Sequence, residues 1–169
     1  DFIPTDKKVA YINQLLKVGF ETIDFGSFVS PKAIPQMSDT ADVLAQLNLS
    51  ETNSKLLAII GNVRGAEDAV KHKQITYLGF PFSISETFQQ RNINSSITES
   101  VERVKEIKQL CDDNGKKLMI YISMGFGNPY GDPWSAEVAA EWVEKLVTMD
   151  IKYVSLADTI GVANPESIT

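Results

Sequence analysis

Carboxylates, hydroxyls and amides gather in five short clusters along the chain, each of a kind that can move protons or grip an oxygen-rich ligand. They are Asp24 with Ser27; Asn62 with Arg64; Ser83, Ser85 and Glu86 running on to Arg91, Asn92, Asn94, Ser95 and Ser96; Ser123 to Asn128; and Ser155 with Asp158. Asp24 is read at the end of a strand, and Gly26, beside Ser27, would let the backbone come close to a ligand. The competing reading is an Asp that simply caps a turn. The stretch from Ser83 to Ser96 surrounds one basic residue with hydrogen-bonding groups and is read as a loop able to hold phosphate oxygens. Ser96 with Glu99 also spells the S-x-x-E pattern of a helix capping box, a structural role. Asp158 can orient a ligand, receive a proton or stand near a metal, and it can equally serve as a cap or turn residue.

Other candidates carry less. His72, between Lys71 and Lys73, is explained by solvation and by favourable charge at a helix end, and is assigned no catalysis. Cys111 follows the apolar face of a helix and is expected beside the core, not as a nucleophile. With one Cys and one His there is no metal cluster of recognisable spacing, no Ser-His-Asp set and no Walker glycine loop.

The clusters need a scaffold. Thr5 or Asp6 is placed to cap a helix carrying Val9, Ile12, Leu15 and Leu16, with Gly19 to end it. Strands are predicted over Thr22 to Phe25, Lys55 to Ile60, Ile75 to Phe82, Leu118 to Ser123 and Tyr153 to Leu156. Helices are predicted over Thr40 to Leu47, Ala66 to Lys73, Glu99 to Cys111 and Trp134 to Met149. Strands alternating with helices imply a parallel α/β architecture, either an open doubly wound sheet or a closed barrel, and periodicity does not choose between them. In both, ligands meet the carboxyl ends of the strands, where the polar clusters fall. Asn164 and Pro165 form a good helix start close to Thr169, and no strand precedes the opening helix. Residues 1–169 are therefore expected to be one partial domain truncated at both ends, with open sheet edges to cover.

Composition sets the outer bounds. Hydrophobic residues make up 43% of the 169 residues and charged ones 22%, enough apolar material for a sizeable core. A formal charge of −6 opposes binding to nucleic acid or an anionic membrane, both of which are held through clustered Lys and Arg. The longest apolar runs are too short to cross a bilayer, and a cytoplasmic protein is expected, with the cysteine usage of a reducing compartment.

The run Asp24-Phe-Gly-Ser-Phe-Val-Ser-Pro-Lys32, continued by Ile34-Pro-Gln-Met37, closely resembles the second-strand signature of hydroxymethylglutaryl-CoA lyases. Asn62 with Arg64-Gly65, Ser85-Glu86-Thr-Phe88, Asn92-Ile-Asn94, Pro129-Tyr-Gly131 and Ser155-Leu-Ala-Asp-Thr-Ile-Gly161 keep the same order. The resemblance spans essentially the whole chain. It implies a (β/α)8 TIM barrel of which this chain supplies about strands 2 to 6. It also implies a lyase that cleaves 3-hydroxy-3-methylglutaryl-CoA to acetoacetate and acetyl-CoA with a divalent Mg2+ or Mn2+ ion. Leucine degradation and ketone-body metabolism, an acyl-CoA partner and a homodimer follow from the same likeness.

By that resemblance Asp24 is catalytic, standing where the family has a glutamate, one methylene longer. Ser27, Ser155 and Asp158 match residues lining the substrate and CoA region, and Asn92 and Ser96 match positions on the CoA side. The family's metal ligands and its loop cysteine acid match nothing in this chain, so no metal ligand is assigned and the fragment alone is expected to be inactive. The alternatives are another acyl-CoA lyase or synthase of the superfamily, or a non-catalytic binding or assembly fragment. Met124-Gly-Phe-Gly-Asn128 and Ser95 replace common cysteine positions.

Overall fold

Apolar runs of strand length and amphipathic helical stretches alternate along the chain, and the computed structural model, which describes residues 1–168, arranges them as a layered α/β unit. The order is α1 (Thr5–Leu16), β1 (Thr22–Phe28), a 3-10 turn (Pro35–Met37), α2 (Thr40–Ala45), β2 (Lys55–Ile60), α3 (Val63–Ala69) and β3 (Ile75–Ser83). Then come α4 (Glu86–Ile93), α5 (Ile97–Asp113), β4 (Lys117–Ser123), α6 (Ala136–Thr148), β5 (Tyr153–Leu156) and α7 (Pro165–Ile168).

The strands form one five-stranded sheet in the order β1-β2-β3-β4-β5, and every neighbouring pair is parallel. A doubly wound sheet reverses its strand order at a switch point, whereas here the order only advances. Right-handed crossovers that always step the same way keep their helices on one side of the sheet, as in a barrel wall.

Strand alternation then divides the side chains. Phe25, Ala58, Phe80 and Ile120 point to the helices and share a core with Val43, Ala66, Ile107 and Leu146. The opposite face carries a second layer in register: Asp24 beside Leu57 and Tyr77; Ser27 beside Ile59, Gly79 and Met119; Pro81 beside Tyr121 and Ser155.

Several local expectations change. β1 does not end at Phe25 but runs to Phe28, with a register shift between Asp24 and Gly26. The open side of Gly26 is not available to a ligand, because a Cβ there would lie 3.0 Å from the Thr40 methyl of α2. α1 starts after Pro4, and Thr5 spends its hydroxyl on Asp39 at 2.7 Å instead of capping the helix. The third helix begins at Val63, earlier than expected, because Asn62 caps it by accepting a hydrogen bond from the Gly65 N–H at 2.9 Å. Gly65 has to be glycine, since a Cβ would meet the Phe28 carbonyl oxygen at 2.3 Å.

The largest departure is α4, which occupies most of the segment expected to be a phosphate-holding loop. The buried polar groups at its base are consumed internally. The Gln89 carbonyl oxygen accepts from the Ser83 N–H at 2.7 Å, and its amide donates to the Ser100 hydroxyl at 2.6 Å, which donates on to Ser95. All four side chains are fully buried. Ser96 forms the expected capping box with Glu99 at the start of α5. Gln89→Leu would keep the volume but strand the Ser83 N–H, so an urea melt is expected to lose about 1–3 kcal/mol; an unchanged midpoint would show the network to be dispensable.

Candidate active site

A strand three residues long between two side chains should put them on opposite faces, because successive side chains alternate. Asp24 and Ser27 escape this rule. Asp24 pairs with Leu57 and Ser27 with Ile59, two residues apart on β2, so the extra residue of β1 is absorbed as a bulge. Both side chains therefore lie on the face that the helices leave free, and the bulge is the local device that unites them. Ser27 is buried, and its N–H meets the Thr40 hydroxyl at 3.4 Å.

Asp24 is exposed to solvent, yet the protein packed around its carboxyl strips enough hydration to push it up to about 6. The phenol of Tyr121 on β4 is raised first by burial and then by the negative charge of Asp24, and strand register puts both on this face. Ser155 pairs with Tyr121 in the sheet and shares the face. Tyr121 went unnoticed in the sequence. Strand alternation could have found it, since it stands two residues before Ser123 on the same strand.

At the amino end of this face the layer is closed by a cation held between rings. Lys117 Nζ lies 5.4 Å from the Tyr77 centroid and 5.3 Å from that of Tyr153, and the two rings meet edge to face at 5.2 Å. The carboxyl ends are tied together by loops. Met124, in a left-handed conformation at φ 59°, donates its N–H to the Thr159 hydroxyl at 2.8 Å, and the Gly125 N–H reaches the Ala157 carbonyl at 3.1 Å. Trp134 donates its indole N–H to the Gly125 carbonyl at 3.0 Å. Asp132 accepts from the Ser85 hydroxyl and from the Thr87 N–H and hydroxyl, and these bonds, the Ser85 one foremost, hold its carboxyl below the usual range.

The remaining sequence-picked residues are distributed more widely. Asp158 accepts from the Val162 and Ala163 N–H groups, both at 2.9 Å, which lowers its pKa and closes the turn after β5. Asn92 is exposed on α4, and Ser96 begins α5. The structure thus brings Asp24, Ser27 and Ser155 to one face and leaves Asn92, Ser96 and Asp158 on the helices and loops around it. His72 is half-buried and not merely solvated, its ring 5.2 Å from Phe28. Cys111 is fully buried, its thiol pushed up to about 12 by burial. Among the described residues no three His, Cys, Asp or Glu side chains come together in a way that could hold a metal ion.

A family model described as HMGL-like matches residues 1–169. The chain belongs to the HMGL-like family. Its relatives include the mitochondrial hydroxymethylglutaryl-CoA lyase of Mus musculus, 36% identical over 166 residues that cover 96% of this chain and 50% of that protein. Hydroxymethylglutaryl-CoA lyase YngG of Bacillus subtilis is 34% identical over 167 residues, 99% of this chain and 55% of that protein. The chain spans about half the length of the curated relatives it matches. Among solved structures, the HMG-CoA lyase of Brucella melitensis superposes with a TM-score of 0.91 at 32% identity, covering 99% of this chain and 59% of that one. An HMG-CoA lyase of Acinetobacter baumannii, in complex with coenzyme A and 3-methylmalate, gives 0.91 at 32% identity over 99% of this chain and 54% of that one. The sequential parallel sheet of this HMGL-like chain is that of the TIM-barrel lyases, so the barrel alternative holds over the open sheet. None of the described helices is long and apolar enough to cross a membrane.

The raised carboxyl has a consequence for stability. Folded Asp24 holds its proton up to about 6, against 3.8 for the free side chain. Between these values the native state binds more protons than the unfolded one, so the stability contributed at this site is full below the lower value and falls as pH rises through the upper. Asp24→Asn should therefore stabilise the protein more at pH 7 than at pH 4. Equal effects at both pH values in thermal melts would contradict a desolvated carboxyl.

Proposed function

We propose that the protein carrying this chain cleaves 3-hydroxy-3-methylglutaryl-CoA to acetoacetate and acetyl-CoA, with residues 1–169 as part of its catalytic barrel and Asp24 at the reacting centre. The observation that carries the reading is the Asp24 carboxyl on the helix-free face, with Tyr121 and Ser27 about it and a pKa pushed to about 6. Family membership supports the reaction class. The Acinetobacter relative, solved with coenzyme A and the hydroxy-diacid 3-methylmalate, supports a ligand of the same chemistry here.

The reaction asks for proton management on both sides of one carbon–carbon bond. The tertiary hydroxyl of the substrate loses its proton, and its oxygen becomes the ketone of acetoacetate. The carbon–carbon bond breaks with its electron pair delivered to the thioester as an enolate, which takes up a proton at carbon to give acetyl-CoA. A carboxyl that titrates near 6 is mostly ionised at neutral pH yet holds a proton more strongly than an ordinary carboxylate, which suits it to accept the hydroxyl proton. Ser27 and Ser155, presented from opposite edges of the sheet, offer hydroxyls to the carboxylate and carbonyl oxygens of the acyl group. Asn92 and Ser96 would stand on the CoA side.

The divalent ion that the family resemblance implies would supply electrophilic stabilisation of the substrate oxygens when bound. The described residues offer no cluster to hold it. No step is therefore routed through it, and its identity as Mg2+ or Mn2+ belongs to the same proposal.

The test is acetoacetate release from the protein carrying this chain, supplied with magnesium or manganese. Asp24→Asn should lower kcat/KM by about 100- to 10,000-fold, and Asp24→Glu should retain more activity than Asn. Absence of acetoacetate from the unmodified protein, with turnover of another 3-hydroxyacyl thioester, would shift the assignment to a sister lyase. An Asp24→Asn enzyme with near-normal kcat/KM would remove Asp24 from the chemistry.

A further inference from the structure

Asp24 and Tyr121 stand on β1 and β4, with two whole strands between them. Neighbouring strands lie about 4.8 Å apart, so across a sheet the two backbones are separated by roughly three such steps. A tyrosine ring reaches such a partner only if it lies across the intervening strand, and any side chain on that strand facing the same way would stand in its path. β3 presents Gly79 there.

The space above Gly79 is filled. A Cβ at this position would lie 2.8 Å from the Tyr121 ring carbon Cε2, 2.8 Å from Ile59 Cδ1 and 2.9 Å from Leu57 Cδ2, all closer than real Cβ contacts allow. Gly79 has no left-handed φ and begins no turn. Glycine in the middle of a buried strand costs stability, both in entropy and in lost packing, so a backbone explanation for it is missing while a steric one is present.

We propose that Gly79 is a positioning residue whose missing side chain opens the lane along which the Tyr121 ring crosses β3 toward Asp24. The inference rests on the reading of this face as the reacting face, but it concerns how the pair is assembled. The groups on the face of Asp24 fit such a role: β2 contributes the apolar Leu57, β3 contributes Gly79, and β4 contributes Tyr121, the titratable group whose phenol feels the charge of the carboxyl. Filling the lane would lift the ring, widen the exposure that Asp24 already has and restore part of its carboxyl's hydration.

The experiment is a carboxyl-carbon NMR titration of the 13C-labelled protein, with the Asp24 resonance assigned through Asp24→Asn and the Tyr121 ring signals followed in parallel. Gly79→Ala should move the ring signals and lower the Asp24 midpoint by about one unit, a ten-fold change in its ionised-to-protonated ratio. Ile59 and Leu57 meet the new methyl with flexible ends and can yield, so Gly79→Ala is also made with Leu57→Ala and Ile59→Val, leaving the Tyr121 ring as the one close contact. Should these fail to fold, Tyr121→Ala removes the ring without crowding anything and should lower the Asp24 midpoint in the same way. Unmoved ring signals and an unmoved midpoint in the folded Gly79 variants would overturn the proposal, as would an unchanged midpoint in Tyr121→Ala. The titration reads this geometry whether or not the protein cleaves a thioester, so failure here is separable from failure of the lyase reading.

Discussion

One constraint governs the rest of this structure: parallel strands that advance in sequence order, joined by crossovers of a single hand, can place their helices on only one side of the sheet. The two faces therefore carry different duties. The covered face is a continuous apolar core in which Phe80, Ile107 and Ile120 are fully buried. The other face is free of helices, and the chain sets its carboxylate, hydroxyls and phenol there. Because residues alternate strictly between faces, a shift of one residue would exchange core for chemistry. The bulge in β1 shows how the chain manages this, giving up one regular pairing so that both Asp24 and Ser27 stay on the working side.

Much of the scaffold was legible in the sequence because it is repetitive. Lys55–Ile60 and Tyr153–Leu156 are the strands that their apolar runs predict, and Asn164 accepts from Glu166 and Ser167 as a helix start should. The capping box of Ser96 and Glu99 was likewise visible as a four-residue pattern. What escaped was structure stabilised from a distance. α4 has a polar sequence without a clear apolar stripe, and it is held by Asp132, which lies far along the chain at its amino end, and by Gln89 reaching into α5. The second half of β1 was missed because Gly26 and Ser27 are poor strand formers, and there the fit to β2 and Thr40 overrides local preference.

The candidate site divides along the same line. Asp24, Ser27 and Ser155 could be nominated one at a time from strand ends and from a family resemblance, but that they share a face depends on a bulge and on register across the sheet. The partnership of Asp24 with Tyr121 is a relation between the first strand and the fourth, and no window of sequence contains both. Asp158 could be nominated as well, and the structure occupies its carboxylate with two backbone N–H groups.

The state of Cys111 has a practical corollary. It is the chain's one thiol, sealed in the core with its proton held tightly up to about 12, and the thiolate is the form that alkylating and oxidising reagents attack. In the folded chain it should stay silent toward such reagents. Within residues 1–169, any cysteine introduced on the helix-free face would then be the reactive handle, so spin labels or fluorophores could be attached there without first rebuilding the interior.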